Sequence, residues 1–300
     1  MLPLYDDVMA DLKRRLPGNV AGEFYVDATC IDCDQCRRIA PATFRAQQDK
    51  SVVFRQPATQ GEARRAEMAL VTCPTGSIGT RAKRDLSDAI AAYPEPLGDG
   101  VYFCGFTSED TFGGSSYLIV RPEGNVLVDS PRFTAPLVER IEALGGVRFM
   151  FLSHIDDVAD HAKFRRHFGC ERVMHADDAT FPVERRIEGL EPARLADDLL
   201  VIPTPGHTRG HQVLLCRDTV LFTGDHLAWS PERKTLIAFR DACWYSWPEQ
   251  TRSMETLLAY RFAWVLPGHG HSHRSSADDM HAHLERCGRW MKGVRARARG

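Results

Sequence analysis

The stretch Val147-Arg-Phe-Met-Phe-Leu-Ser-His-Ile-Asp-Asp-Val-Ala-Asp-His161 decides how the rest of the chain is read. Its apolar start, residues 147–152, predicts a buried strand. Two imidazoles and three carboxylates then fall within the eight residues from His154 to His161. Donors of this mixed kind at the end of a strand suit zinc, iron or manganese. Taken alone, the same residues also read as a polar loop leading into a helix over 159–168.

Three later stretches repeat the placement. Pro205-Gly-His-Thr-Arg-Gly-His211 follows an apolar strand over 199–203, and Thr223-Gly-Asp-His226 follows Val220-Leu-Phe222. Leu266-Pro-Gly-His-Gly270 follows Phe262-Ala-Trp-Val265. His207, Asp225 and His269 thus each stand just beyond a strand, in a turn where glycine lets the backbone bend around a side chain. One such histidine is ordinarily a satisfied polar group at a strand end. Four loops built alike point to a metal site instead.

This set resembles the metallo-β-lactamase-fold superfamily, and its Gly-His-Thr-x-Gly-His form is similar to the glyoxalase II-like hydrolases. The resemblance covers roughly residues 98–275, including a strand that ends in Asp129. It implies an α+β fold, an αββα sandwich, with two metals between the sheet edges. The family's signature is His-x-His-x-Asp-His, and this chain departs from it. With His154 in the first place, the second is Asp156, and the Asp-His pair arrives two residues late as Asp160-His161. On that alignment one metal takes His154, His207 and Asp156. The other takes Asp160, His161 and His269, with Asp225 bridging, and Asp160 and Asp225 are the catalytic candidates. Asp157 competes as a ligand, because Asp157 and His161 share a face if the helix begins early. One or two divalent metals, zinc or iron with manganese as a further option, are therefore expected. The resemblance gives His211 a structural role in its loop. His226, His271 and His273 fit supporting or solvent-facing positions. His175, ending a strand, and Tyr245, within Trp244-Tyr-Ser-Trp247, are candidates for a substrate pocket.

The first third carries different chemistry. Cys30-Ile-Asp-Cys-Asp-Gln-Cys36 sets three thiols with two residues between neighbours, and Cys73-Pro74 supplies a distant fourth. Such thiols suit the corners of one iron–sulfur cube better than a zinc ribbon, which uses two separated Cys-x-x-Cys pairs. Proline after the last ligand keeps that cysteine in a loop. Over residues 22–80 the stretch resembles the single-cluster bacterial ferredoxins. With Cys33 present, the resemblance implies one [4Fe–4S] cluster held by Cys30, Cys33, Cys36 and Cys73. The remaining five of nine cysteines are scattered and read as small buried residues. The expected organisation is an N-terminal helix within 1–21, a ferredoxin-like module over 22–80, a linker over 81–98, and a sandwich domain over 99–300. A frayed tail closes it at 294–300.

Composition narrows the partners. Hydrophobic residues make up 43% and charged residues 26%, with a net charge of -2 and pI near 6.6. Nothing here favours nucleic acid or an anionic membrane. No apolar run reaches the ~20 residues of a membrane span. The start, Met1-Leu-Pro-Leu-Tyr-Asp-Asp, lacks a secretory pattern, so a cytoplasmic protein is expected. Two functions compete. The first is metal-dependent hydrolysis of an ester or thioester by a metal-activated hydroxide, with the cluster as an accessory. The second is redox chemistry, in which the cluster relays electrons from a donor protein or reductase to a mono- or di-iron site. A structural or sensing cluster beside an inactive second domain is a third option. The partner common to the first two is a small-molecule substrate.

Overall fold

The computed structural model describes residues 10–294. The predicted N-terminal helix therefore lies partly outside the described residues, and its described part is a single 3-10 turn, Leu12–Arg14. All but the first residue of the expected tail also lies outside them.

The chain packs as two compact units, one of residues up to Val147 together with Ala159–Phe168, the other of Arg148–Val158 with Gly169 onward. In the first unit, strands Phe24–Val26 and Ile78–Thr80 pair antiparallel, as do Phe44–Gln47 and Lys50–Val53. Helix Gln60–Thr72, rich in alanine and glutamate, is capped by Thr59, whose Oγ1 accepts from Glu62 N. It buries Ala66 and Met68 through Thr72 and delivers Cys73 at its end. Residues 81–98 are not the free linker expected from their composition. They hold helix Ser87–Ala91 and strand Glu95–Gly98, which opens an antiparallel sheet with Val101–Phe103, Tyr117–Ile119 and Val126–Val128. Tyr93 is fully buried, edge-on to Phe103 and Phe106, and its hydroxyl accepts from Thr72 Oγ1 at 2.8 Å. A buried aromatic bonded back to the cysteine-bearing helix anchors this otherwise largely exposed segment. The 22–80 module is accordingly continuous in packing with residues up to 147.

In the second unit, Phe149–Phe151, Glu171–His175 and Arg185–Ile187 run parallel. A six-stranded sheet has the order Ala193–Ala196, Leu199–Pro203, Gln212–Cys216, Val220–Gly224, Trp264–Pro267, His273–Arg274. Its strands alternate Ile202, Val213, Leu215, Leu221 and Val265 into one core with Trp247, Met254, Met280, Leu284, Cys287 and Met291. Those last residues come from helices Trp247–Thr256 and Ala277–Gly293, which cover that face. Gln212 ties the strand before His154 to this sheet. Its backbone N–H donates to Ser153 O at 2.9 Å and its side chain to Leu152 O at 2.9 Å.

Candidate metal centre and cluster site

Register places the histidines and aspartates. Val220–Gly224 and Trp264–Pro267 run parallel, with Phe222 beside Leu266 and Gly224 beside Pro267. Both strands therefore end together, and Gly268 N donates to Gly224 O at 2.9 Å. Asp225 and His269 meet in consequence, His269 Nδ1 lying 2.8 and 3.0 Å from the two Asp225 oxygens. His207 sits in the loop between the paired strands ending at Pro203 and starting at Gln212, closed by Thr204 N donating to His211 O at 2.8 Å. Gly206 is needed there: a Cβ would lie 2.3–2.6 Å from Gln250. His154 follows strand Phe149–Phe151 and caps the 3-10 turn Ile155–Asp157.

The donors converge. His154 Nε2 lies 3.8 Å from Asp225 Oδ2 and 3.9 Å from Asp156 Oδ2. His207 Nε2 lies 3.4 Å from Asp156 Oδ2 and 3.7 Å from Asp225 Oδ2. Two sets of donor atoms fall within 4.8 Å of one another, His154–Asp156–His207 and His154–Asp157–Asp225. His154, Asp157, His207 and Asp225 are buried, while the Asp156 side chain is 48% exposed and opens the site to solvent. Ser153 Oγ hydrogen-bonds His154 Nδ1 at 2.8 Å, which holds the ring with Nε2 turned to the carboxylates. Nε2 of both His154 and His207 is buried without a hydrogen bond. Such nitrogens are costly unless something binds them. At Gly268 an added Cβ would lie 2.8 Å from Asp157 Oδ2 and 2.9 Å from Asp225 Oδ1. Carboxylates pressed together in a buried space, with imidazole nitrogens turned to them, fit a divalent cation.

The electrostatics agree. Burial pushes His154 down to about 4 and His226 to about 3, and holds His211 well below the usual imidazole range. Neutral imidazole is the form that binds metal. Burial raises the Asp225 carboxyl, but His269, His154 and His207 outweigh it and keep the group ionised. His207 beside Asp156, with His154 behind it, holds that carboxyl low despite its partial burial.

Asp160 and His161 fall in the other packing unit and are in neither donor set. Asp160 ends the loop before helix His161–Phe168, its carbonyl accepting from Lys163 N at 2.8 Å. Its carboxylate accepts from Phe133 N at 2.8 Å and pairs with Lys163 Nζ at 2.7 Å. The two extra residues have carried the Asp-His pair into the start of a helix, and Asp157 stands in the cluster instead. His175 is fully engaged, Nδ1 accepting from Asp177 N at 3.2 Å and Nε2 donating to Gly189 O at 2.9 Å, which leaves it nothing for a substrate. Tyr245 and Trp244 are exposed, and their backbone N–H groups donate to His207 O at 3.0 and 2.9 Å. His211 bonds Thr204 Oγ1 and accepts from Asp225 N, a loop-bracing role. Sequence reasoning missed Asp178. This buried carboxylate accepts from Thr208 Oγ1 at 2.5 Å, Gly210 N at 2.7 Å and Ile155 N at 3.1 Å. It clamps the His154 loop to the His207 loop. Its signal was available: an aspartate just past strand Glu171–His175, the neighbour of the strand that carries His154.

In the other unit, Cys30, Cys33, Cys36 and Cys73 line one small cavity. Ser51 N donates to Cys30 Sγ at 3.4 Å and Ser77 N to Cys73 Sγ at 3.3 Å. Burial pushes the Cys33 thiol up to about 12 and raises Cys36 and Cys73 too. Four sulfurs around one space, two buried and two half-buried, with N–H groups donating to two of them, fit an iron–sulfur cluster, whose irons would compensate the thiolate charge. Residues 26–80 match the 4Fe-4S single cluster domain of ferredoxin I. A hydroxyacylglutathione hydrolase of Xanthomonas campestris pv. campestris is 29% identical over 116 residues, 37% of this chain and 45% of that protein. The chain thus matches less than half the length of its curated relatives. Among solved structures, ETHE1 from Myxococcus xanthus aligns with 19% identity and a TM-score of 0.48, covering 65% of this chain and 92% of that one. The metallo-β-lactamase FIM-1 from Pseudomonas aeruginosa, in a mono-zinc form, aligns with 16% identity and a TM-score of 0.49, covering 64% and 94%. Both resemblances named from the sequence recur in these comparisons. No helix among the described residues is long and apolar enough to cross a membrane.

Proposed function

We propose that the protein is a metal-dependent hydrolase acting on a small ester- or thioester-type substrate, with a four-iron cluster in its first unit. The observation that carries this reading is Asp225, whose Oδ1 is held by His269 while Oδ2 faces the unbonded Nε2 atoms of His154 and His207. His154, His207, Asp156, Asp157 and Asp225 would hold one or two divalent ions. Bound there, such an ion supplies a Lewis acid and a water acidic enough to act near neutral pH. The chain's own residues do the rest. Asp225 and His269 orient one another, Ser153 holds the His154 ring at Nδ1, and half-exposed Asp156 marks the solvent side where substrate enters. Trp244 and Tyr245, exposed beside His207, offer an apolar wall. Replacing Asp225 with alanine should remove both bound metal and hydrolysis of model thioesters; a variant hydrolysing them at the wild-type rate would sink the mechanism.

A redox reading has one specific support. Asp156 and Asp157 give the site three carboxylates with its histidines, and oxygen-rich donor sets shift preference from zinc towards iron or manganese. The cluster would then pass electrons received from an outside donor. Rapid reoxidation of the reduced cluster by oxygen or substrate, lost on replacing His269, would favour it.

A further inference from the structure

Gly113 lies well outside the 26–80 segment, yet it stands against the cluster cavity within the same unit. A Cβ on it would be 2.7 Å from Cys33 Cβ, 3.0 Å from Cys33 Sγ and 3.2 Å from Pro74 Cγ. Gly113 therefore fills the gap between the middle cysteine and the distant Cys-Pro. Its φ of +80° is one that side chains rarely adopt. The loop carrying it has little room to yield. Gly113 N donates to Ser108 O at 2.8 Å and Gly114 N to Thr111 O at 2.9 Å. Gln35, one residue before Cys36, donates its amide to Gly113 O at 2.6 Å and to Ser115 Oγ at 3.0 Å. Arg38 adds a bond to Ser115 Oγ at 3.2 Å. On the other side, Cys33 sits between Asp32 and Asp34, both with left-handed backbone, φ 62° and 70°. The thiol run is held in a narrow conformation on one side and faces a braced loop on the other. Any atom added at 113 must displace Cys33.

We propose that Gly113 determines the nuclearity of the cluster: the space left by its absent side chain lets Cys33 reach the iron at its corner. This rests on the cluster reading above. Displacing the Cys33 thiolate leaves one iron without a protein ligand, and that iron is then lost on oxidation. The step is [4Fe–4S]2+ going to [3Fe–4S]+ and Fe2+, with one electron passed to an added oxidant such as ferricyanide.

The test uses the full chain, purified without oxygen, with iron and acid-labile sulfide counted and the oxidised state examined by electron paramagnetic resonance. Wild type should hold about four irons per four sulfides and be silent when oxidised. Gly113→Ala should hold about three irons per four sulfides and show the paramagnetic signal of an oxidised three-iron cluster, as should Cys33→Ser. If Gly113→Ala keeps the full complement and stays silent, the inference fails. Should that variant not fold, Gln35→Ala loosens the loop without adding an atom. Ferricyanide should then release the first iron several-fold faster than from wild type, and an equal rate overturns the proposal. A wild-type protein without sulfide overturns the cluster reading and this inference together, a result distinct from either variant's failure.

Discussion

An alanine Cβ at position 268 would lie within 3 Å of two site carboxylates, Asp157 and Asp225, yet Gly268 does not have a positive φ. Gly268→Ala should therefore fold and bind metal at least about tenfold more weakly, measured by competition with a chromophoric chelator. Undiminished affinity would show that the cation does not sit between those carboxylates. Asp178 acts at one remove, through the backbone and hydroxyl groups it holds. Asp178→Asn keeps the shape but turns one acceptor into a donor, and should weaken metal binding about 10–100-fold, as losses behind ligating residues do. Buried imidazoles also set an acid limit. His154 and His226 have folded pKa values below that of the unfolded chain, so between pH 6.5 and about 4 the unfolded state binds more protons. Stability of the metal-free protein must then fall as pH falls through that window, by on the order of 3 kcal/mol from His154 alone. Urea midpoints at pH 7 and pH 5 check this; equal midpoints contradict it.

At the scale of elements, the metal centre depends on strands whose ends are brought level. The parallel pairing of Val220–Gly224 with Trp264–Pro267 sets Asp225 against His269, and helices Trp247–Thr256 and Ala277–Gly293 hold that sheet by its other face. Leu284 is fully buried in the contact. Leu284→Ala should cost about 2–5 kcal/mol, the usual range for a large core truncation. Chemical denaturation measures it, and a cost below about 1 kcal/mol would mean that the helix is not anchored there. Part of this was legible beforehand: the strand at 199–203 is a continuous apolar run, Leu199-Leu-Val-Ile202. The short strands Arg185–Ile187 and Ala193–Ala196 were not, because arginine and alanine give no alternation and their pairing is imposed by neighbours.

For the molecule as a whole, metal analysis comes first. About four irons and four sulfides with one or two zincs would support the hydrolase, and about six irons the redox reading. The two sites draw their ligands from different packing units. Cys30→Ser should thus lose sulfide while the histidine–aspartate site keeps its metal. The sequence by itself determined which residue types each candidate site is built from. Thiol spacing, and histidine or aspartate placed after apolar strands in glycine turns, are local patterns that a chain carries wherever it folds. It also determined most strands and helices, since periodicity records which face is buried. Only the tertiary structure decided that Asp156 and Asp157, and not Asp160, stand in the donor sets. That choice turns on where helix His161–Phe168 begins and on what binds Asp160, a contest between Phe133, Lys163 and a cation that spacing does not encode. It alone decided that the largely exposed 81–98 segment is anchored to its unit, through one buried tyrosine that its linker-like composition does not announce. It alone brought Gly113 to Cys33, a contact between segments some eighty residues apart with no shared periodicity to announce it.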